Sequence, residues 1–141
     1  MLKIYLASSW KNQYYESVLK TIQEMNKFYV YDFRKQNTAF NWNEIDDNWE
    51  SWTTQQFLDA LKHPLSKRAY TDDFSHLRDC DICIMITPCG RSSHLEGGYA
   101  VGHGSKLIVY LTEDQRPELT YKMASIVTSI DELITILRLL S

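Results

Sequence analysis

Glu96 is the residue best suited to chemistry in this 141-residue chain. It follows an apolar run over residues 80–87 that reads as a strand, a break at Pro88, Cys89 and Gly90, and a helical pattern opening near Ser93. Open α/β sheets bind ligands outside the carboxyl ends of their strands, beside helix N-termini whose free N–H groups favour anions. A carboxylate in the first helical turn there has a lowered pKa, so Glu96 is expected to be ionised and to serve as a nucleophile or charge stabiliser rather than a general acid. A structural role competes with this one. Ser93-x-x-Glu96 has the spacing of a capping box, in which the carboxylate returns to the backbone N–H of the cap. Arg91, Ser92 and Ser93 add a guanidinium, two hydroxyls and the N–H groups of the first turn, a set suited to a phosphate or carboxylate. Gly90, Gly97 and Gly98 would let backbone come close to a ligand and to the sheet. The competing view makes Arg91 a solvated surface residue and the glycines packing residues. Tyr99 and His103, three and seven residues beyond Glu96, share its face and read as core or interface.

Positioning Glu96 requires a sheet, and hydrophobic patterning predicts strands at 3–7, 28–33, 80–87, 107–111 and 124–128. Between them it predicts helices at 9–27, with Val18, Leu19, Ile22 and Met25 on one face, and at 50–63, stopping before Pro64. A short helix at 70–78 leads into the third strand, and Ser129 to Glu132 opens a last helix with a capping box. Strands alternating with helices make an α/β protein, and right-handed crossovers favour a flavodoxin-like three-layer sandwich with a parallel five-stranded sheet ordered 2-1-3-4-5. The switch point then lies between strands one and three, which brings Tyr5, Ser8 and Ser9 beside the segment 88–96. A single domain over 1–141 is expected, interrupted at 34–52 by asparagines interleaved with Phe40, Trp42, Trp49 and Trp52. Those rings suit either a base-stacking wall or a subunit contact.

Composition narrows the function classes. The chain is 44% hydrophobic, and 15 basic residues against 18 acidic ones leave a net charge of −3, with no basic stripe to grip a nucleic acid polymer. The alternating N-terminal run is too short for a signal peptide, and Asp131, Glu132 and Arg138 break the C-terminal apolar run, so neither a membrane span nor a location other than the cytoplasm is expected. Cys80 and Cys83 are three apart in a strand and face opposite ways, so they should share neither a disulfide nor a metal. His76, Cys89 and His94 lie near but lack paired ligand spacing, so buried reduced thiols and no metal are expected. Asp79 and Asp81 read as turn residues before the strand, and Asp73 as a helix cap.

With these residues in view, the chain resembles the nucleoside 2-deoxyribosyltransferase-like superfamily, which includes base-exchanging transferases and nucleoside monophosphate N-glycosidases. Ile4 to Trp10 is similar to the family's first strand and loop. Asp73, eight residues before Asp81, matches the position of its functional aspartate. Glu96-Gly97-Gly98-Tyr99-Ala100 looks like its nucleophile motif. The resemblance implies that Glu96 attacks C1′ of a (2′-deoxy)ribosyl group to form a glycosyl-enzyme, while Asp73 protonates or hydrogen-bonds the departing base and Tyr5 holds the Glu96 carboxylate. It also implies that Ser8, Ser9 and Trp10 in the first loop, with Gly90, Arg91, Ser92 and Ser93, bind the 5′ side of the sugar. No cofactor or metal is called for. Base-exchanging members carry an Asp six residues before the nucleophile, where this chain has Gly90 followed by Arg91. Replacing an acceptor carboxylate by a guanidinium favours a nucleotide over a free nucleoside.

The resemblance leaves three outcomes open: hydrolysis of a nucleotide, exchange of its base, or binding without chemistry. An NAD glycohydrolase of the Toll/interleukin-1-receptor type, which also sets a Glu in a flavodoxin-like sheet, is a fourth. Family active sites are often completed by a neighbouring subunit, which implies a homodimer or larger homo-oligomer with Tyr99, Trp49 and Trp52 as candidate contacts.

Overall fold

A computed structural model describes all 141 residues. In chain order the elements are β1 (Leu2–Ala7), α1 (Tyr15–Glu24), β2 (Phe28–Tyr31), α2 (Thr54–Ala60), α3 (Pro64–Asp79), β3 (Ile82–Ile86), α4 (Arg91–Gly102), β4 (Lys106–Tyr110), β5 (Ser125–Val127) and α5 (Ile130–Leu140). Two compact units emerge, one of Met1–Asp32 with Leu77–Ser141 and one of Phe33–His76. No helix is long and apolar enough to cross a membrane.

The first unit is built on a five-stranded, wholly parallel sheet of order β2-β1-β3-β4-β5, as expected. All five residues of β3 are buried, as are residues 4–7 of β1 and 107–110 of β4. Continuous burial of this kind marks strands covered on both faces. The step from β1 to β2 runs opposite to the step from β3 to β4, so right-handed crossovers put α1 and α4 on opposite faces. α5 touches α1 and closes the same face. Tyr5 lies at the middle of the switch, paired in register with Tyr31 of β2 and with Cys83 of β3.

Helix boundaries depart from the sequence expectation in instructive ways. α1 starts at Tyr15, not near residue 9, because Asn12 spends its side chain on distant backbone and residues 9–14 form a loop. Its buried stripe is Tyr15, Val18, Leu19 and Ile22, and Asn26 at φ 53° ends it. β2 ends at Tyr31, leaving Asp32 and Phe33 outside. α2 spans only Thr54–Ala60, capped by Thr53 and Gln56 in a capping box, since the residues before it form a 3-10 turn. Pro64 begins α3 where it was expected to end a helix, and the first helical position is the one where proline's missing N–H costs nothing. α4 opens at Arg91 on a Gly90 cap, two residues before the expected start. Ser129 caps α5 by accepting from the Glu132 N–H, and the Glu132 carboxylate reaches back to the Thr128 N–H.

The Phe33–His76 unit has a core of its own. Phe57 of α2 makes edge contacts with Trp42, Trp49 and Trp52 at centroid distances of 5.7, 6.5 and 5.1 Å, and Trp42 also meets Phe40 at 5.1 Å. Trp52 Nε1 donates to Asp46 Oδ2 at 2.8 Å. That bond and the Asn48 N–H, the larger effect, hold the Asp46 carboxyl below its usual pKa. The rings therefore pack on one another, a role that neither the stacking-wall nor the subunit-contact expectation included.

No disulfide joins the three cysteines, of which Cys80 and Cys83 are buried and Cys89 half-buried. Burial pushes the Cys83 thiol well above its usual pKa. A raised acid pKa stabilises the fold fully below the unfolded value and is lost as pH rises through the folded one. The melting temperature should therefore fall once the pH passes about 8.5, the unfolded thiol value, and Cys83→Val should flatten that fall. Identical alkaline profiles for the two proteins would rule out the Cys83 contribution.

Candidate active site

The site forms at the carboxyl edge of the sheet where β1 and β3 adjoin. Tyr5 is 2% exposed, its ring stacked on Tyr31 at 5.8 Å and 21°. Held in that slot, its hydroxyl donates to Glu96 Oε2. Glu96 is half-buried and is the sixth residue of α4, so it lies in the second turn. The capping box does not form, because the cap is Gly90 and the Glu96 carboxylate turns to Tyr5. Displacement to the second turn also weakens the helix dipole at Glu96, which acts mainly within the first turn. What steadies the carboxylate is the phenol. Cys83, opposite Tyr5, and Cys89 are both close enough to feel the Glu96 charge, which adds to the dominant effect of burial in raising their pKa values.

Between the first loop and the loop after β3 lies a cleft of about 400 Å³, which neither Tyr5 nor Glu96 lines. Ser9, Lys11 and Asn12 form one wall, and Pro88, Cys89 and Gly90 form the other. Because Gly90 caps α4, the N–H groups of Arg91, Ser92 and Ser93 have no acceptor within the helix. Arg91 and Ser92 are exposed. Ser93 is 3% exposed, so what it can offer a ligand is its backbone amide. Ser8 Oγ donates to the Ile86 carbonyl at 2.9 Å and ties the first loop to the end of β3. Trp10 is 39% exposed. Asp73 is half-buried on α3 within the Phe33–His76 unit, next to Asp72, whose carboxylate takes the Thr38 hydroxyl.

Of the glycines, Gly97 alone faces the sheet closely. A Cβ there would stand 3.4 Å from Leu107 Cδ1, in contact without a clash, while Gly90 and Gly98 face open space. Close packing on the sheet therefore does not require glycine at these positions. Tyr99 and His103 stack on each other at 5.2 Å along the outer part of α4. His94 is engaged at both ring nitrogens, Nδ1 on the Gly90 carbonyl at 2.8 Å and Nε2 on Tyr121 Oη at 2.7 Å. A carbonyl can only accept, so Nδ1 carries a proton and donates to it. Neither nitrogen is offered to a metal.

Lys11 and Asn12 line the cleft without having been singled out from the sequence, and Cys89, weighed there only as a metal ligand, lines it too. The signal for Asn12 was present, since an Asn two residues before Tyr14 is a common way into a helix. It lay hidden inside a helix predicted to run from residue 9.

No family model and no curated protein matches the sequence. Solved structures do. A 2-deoxyribosyltransferase from Bacillus psychrosaccharolyticus is 16% identical with a TM-score of 0.64, covering 93% of this chain and 89% of that one. A conserved protein from Enterococcus faecalis V583 is 15% identical with a TM-score of 0.67, covering 96% of each chain. A CMP N-glycosidase from Clostridium botulinum is 16% identical with a TM-score of 0.52, covering 96% and 98%. At such identities the likeness establishes the fold alone, which this chain shares with these three proteins.

Proposed function

We propose that the chain is an N-glycosidase that cleaves the base–sugar bond of a (2′-deoxy)nucleoside 5′-monophosphate through a covalent glycosyl-Glu96 intermediate. The observation that carries this is the donation from the buried Tyr5 hydroxyl to the Glu96 carboxylate at the switch point, with a cleft that Ser9, Lys11 and Asn12 line opening between the loops that follow β1 and β3. In the first step a Glu96 oxygen bonds to C1′ as the C1′–N bond breaks, and the electron pair leaves with the base. Asp73 supplies or shares the proton the base needs. In the second step the water oxygen bonds to C1′ as the C1′–O bond to Glu96 breaks, and the proton that the water loses passes to Asp73, so both carboxyl groups return to their starting state. Splitting the displacement in this way needs an ionised carboxylate held in place, which the Tyr5 hydrogen bond favours. Lys11, Arg91 and the amides of residues 91–93 favour an anion on the 5′ side, hence the monophosphate.

The test is base release from ribo- and 2′-deoxyribonucleoside 5′-monophosphates beside the matching nucleosides and NAD. Release from a monophosphate supports the proposal. Release only when a second base is supplied would make the protein a transferase, and release from NAD alone would make it an NAD glycohydrolase. Tight binding with no release would make it a binding module. In the same assay Arg91→Ala should raise KM for the monophosphate about tenfold and leave the nucleoside unchanged, as expected for one exposed charge-assisted contact. An equal effect on both substrates would remove Arg91 from the phosphate side.

The active form is proposed to be a homodimer or larger. Trp49 and Trp52 are taken up in the aromatic core of their own unit, whereas Leu95, Leu119 and Met123 are 76%, 83% and 57% exposed around the His94–Tyr121 contact and offer apolar surface. Light scattering across a dilution series should show more than a monomer.

A further inference from the structure

The loop after β3 is held at nearly every carbonyl by a side chain from elsewhere. Ile86 O accepts from Ser8 Oγ and from Asn12 Nδ2, and Pro88 O accepts from Asn12 Nδ2, the two Asn12 contacts both at 3.1 Å. Thr87 O accepts from Thr112 Oγ1 at 2.5 Å, and Gly90 O takes the His94 ring at 2.8 Å. The Thr87 N–H is spent on the Tyr110 carbonyl at 3.1 Å and Pro88 has none, so the loop can offer the cleft only the amides of Cys89 and Gly90. Asn12 is central to this arrangement because it lines one wall of the cleft and bonds twice to the loop that forms the other. It is 5% exposed, donates twice to the β3 loop, and accepts from the Tyr14 N–H at 2.7 Å. The Oδ1 contact is a local turn that leads into α1. The two Nδ2 contacts span 74 and 76 residues and serve no helix.

We propose that Asn12 is a positioning residue that sets the width of the cleft and so the binding of the 5′ group of the substrate, a role that rests on the function proposed above. Glu96 is fixed separately, by Tyr5 and by α4. Loss of the Asn12 bridge should therefore loosen the grip on the 5′ group more than it slows the bond-breaking step. The isosteric change Asn12→Asp separates the two duties of the side chain. Aspartate keeps the acceptor for the Tyr14 N–H but has no proton to give the Ile86 and Pro88 carbonyls, and its charge repels them. A residue that only starts α1 would be replaced well by aspartate. A residue that bridges the loops would not.

The experiment compares wild type, Asn12→Asp and Asn12→Ala in two ways, after thermal melts have shown that each is folded. Steady-state base release from the monophosphate should show KM raised roughly 10- to 100-fold in both variants, with kcat within a few-fold, as one charge-free buried bridge implies. The second readout is independent of any activity. Cys89 lies on the bridged loop and is half-buried, whereas Cys80 and Cys83 are buried, so the rate of iodoacetamide alkylation at Cys89 reports how firmly the loop is held. That rate should rise about tenfold in both variants. Wild-type KM and alkylation rate in Asn12→Asp would overturn the bridging role. Faster alkylation in a protein that cleaves no substrate would uphold the bridge and reject the glycosidase.

Discussion

Glu96→Gln should lower base release by on the order of 10³-fold or more while leaving monophosphate affinity within a few-fold. Glutamine has the size of glutamate and keeps an oxygen for the Tyr5 hydroxyl, so the slot that holds residue 96 is preserved. What it lacks is a charged oxygen able to form a bond to C1′, and removal of a covalent nucleophile strips away a whole route rather than one contact. Binding on the 5′ side depends on other groups, so a direct titration with the monophosphate should report a folded cleft. Full activity in this variant would show that residue 96 only supports the helix.

Tyr5→Phe should cost about 10- to 100-fold in kcat/KM, the range for losing one hydrogen bond to a charged group, worth about 1.5–3 kcal/mol. The ring and its stacking on Tyr31 remain, so the melting temperature should change little. The effect depends on Glu96. Adding Tyr5→Phe to Glu96→Gln should cost far less than Tyr5→Phe alone, because the charge that the phenol serves is already gone. Additive losses in the double variant would mean that Tyr5 acts on something other than Glu96.

Sheet order and the meeting of Tyr5 with the Glu96 region were legible because both follow from strand alternation and crossover handedness. The register sets Tyr5 between Tyr31 and Cys83, and α4 springs from the end of the neighbouring strand. Less legible were the helix starts. Ser93-x-x-Glu96 carries the letters of a capping box, but the turn begins at Gly90, and local spacing cannot tell a cap from a second-turn carboxylate turned to a tyrosine 91 residues away. Asn12 was lost for the same reason, its defining bonds being long-range. Proline misled in the other direction, since a residue that stops one helix also starts another well, as Pro64 does. The aromatic segment had no period to read because it is built on 3-10 turns, and the unit extends to His76 since its hub, Phe57, belongs to α2.

The stereochemistry of the product tests the covalent role of Glu96 most directly. Cleavage of a β-nucleoside monophosphate in methanol-containing buffer gives a methyl glycoside whose anomer is fixed once formed and can be read by proton NMR. Two successive displacements through Glu96 return the β-anomer. The α-anomer would mean a single displacement with Glu96 in another role, and no cleavage of any nucleotide would contradict a catalytic role for Glu96 altogether.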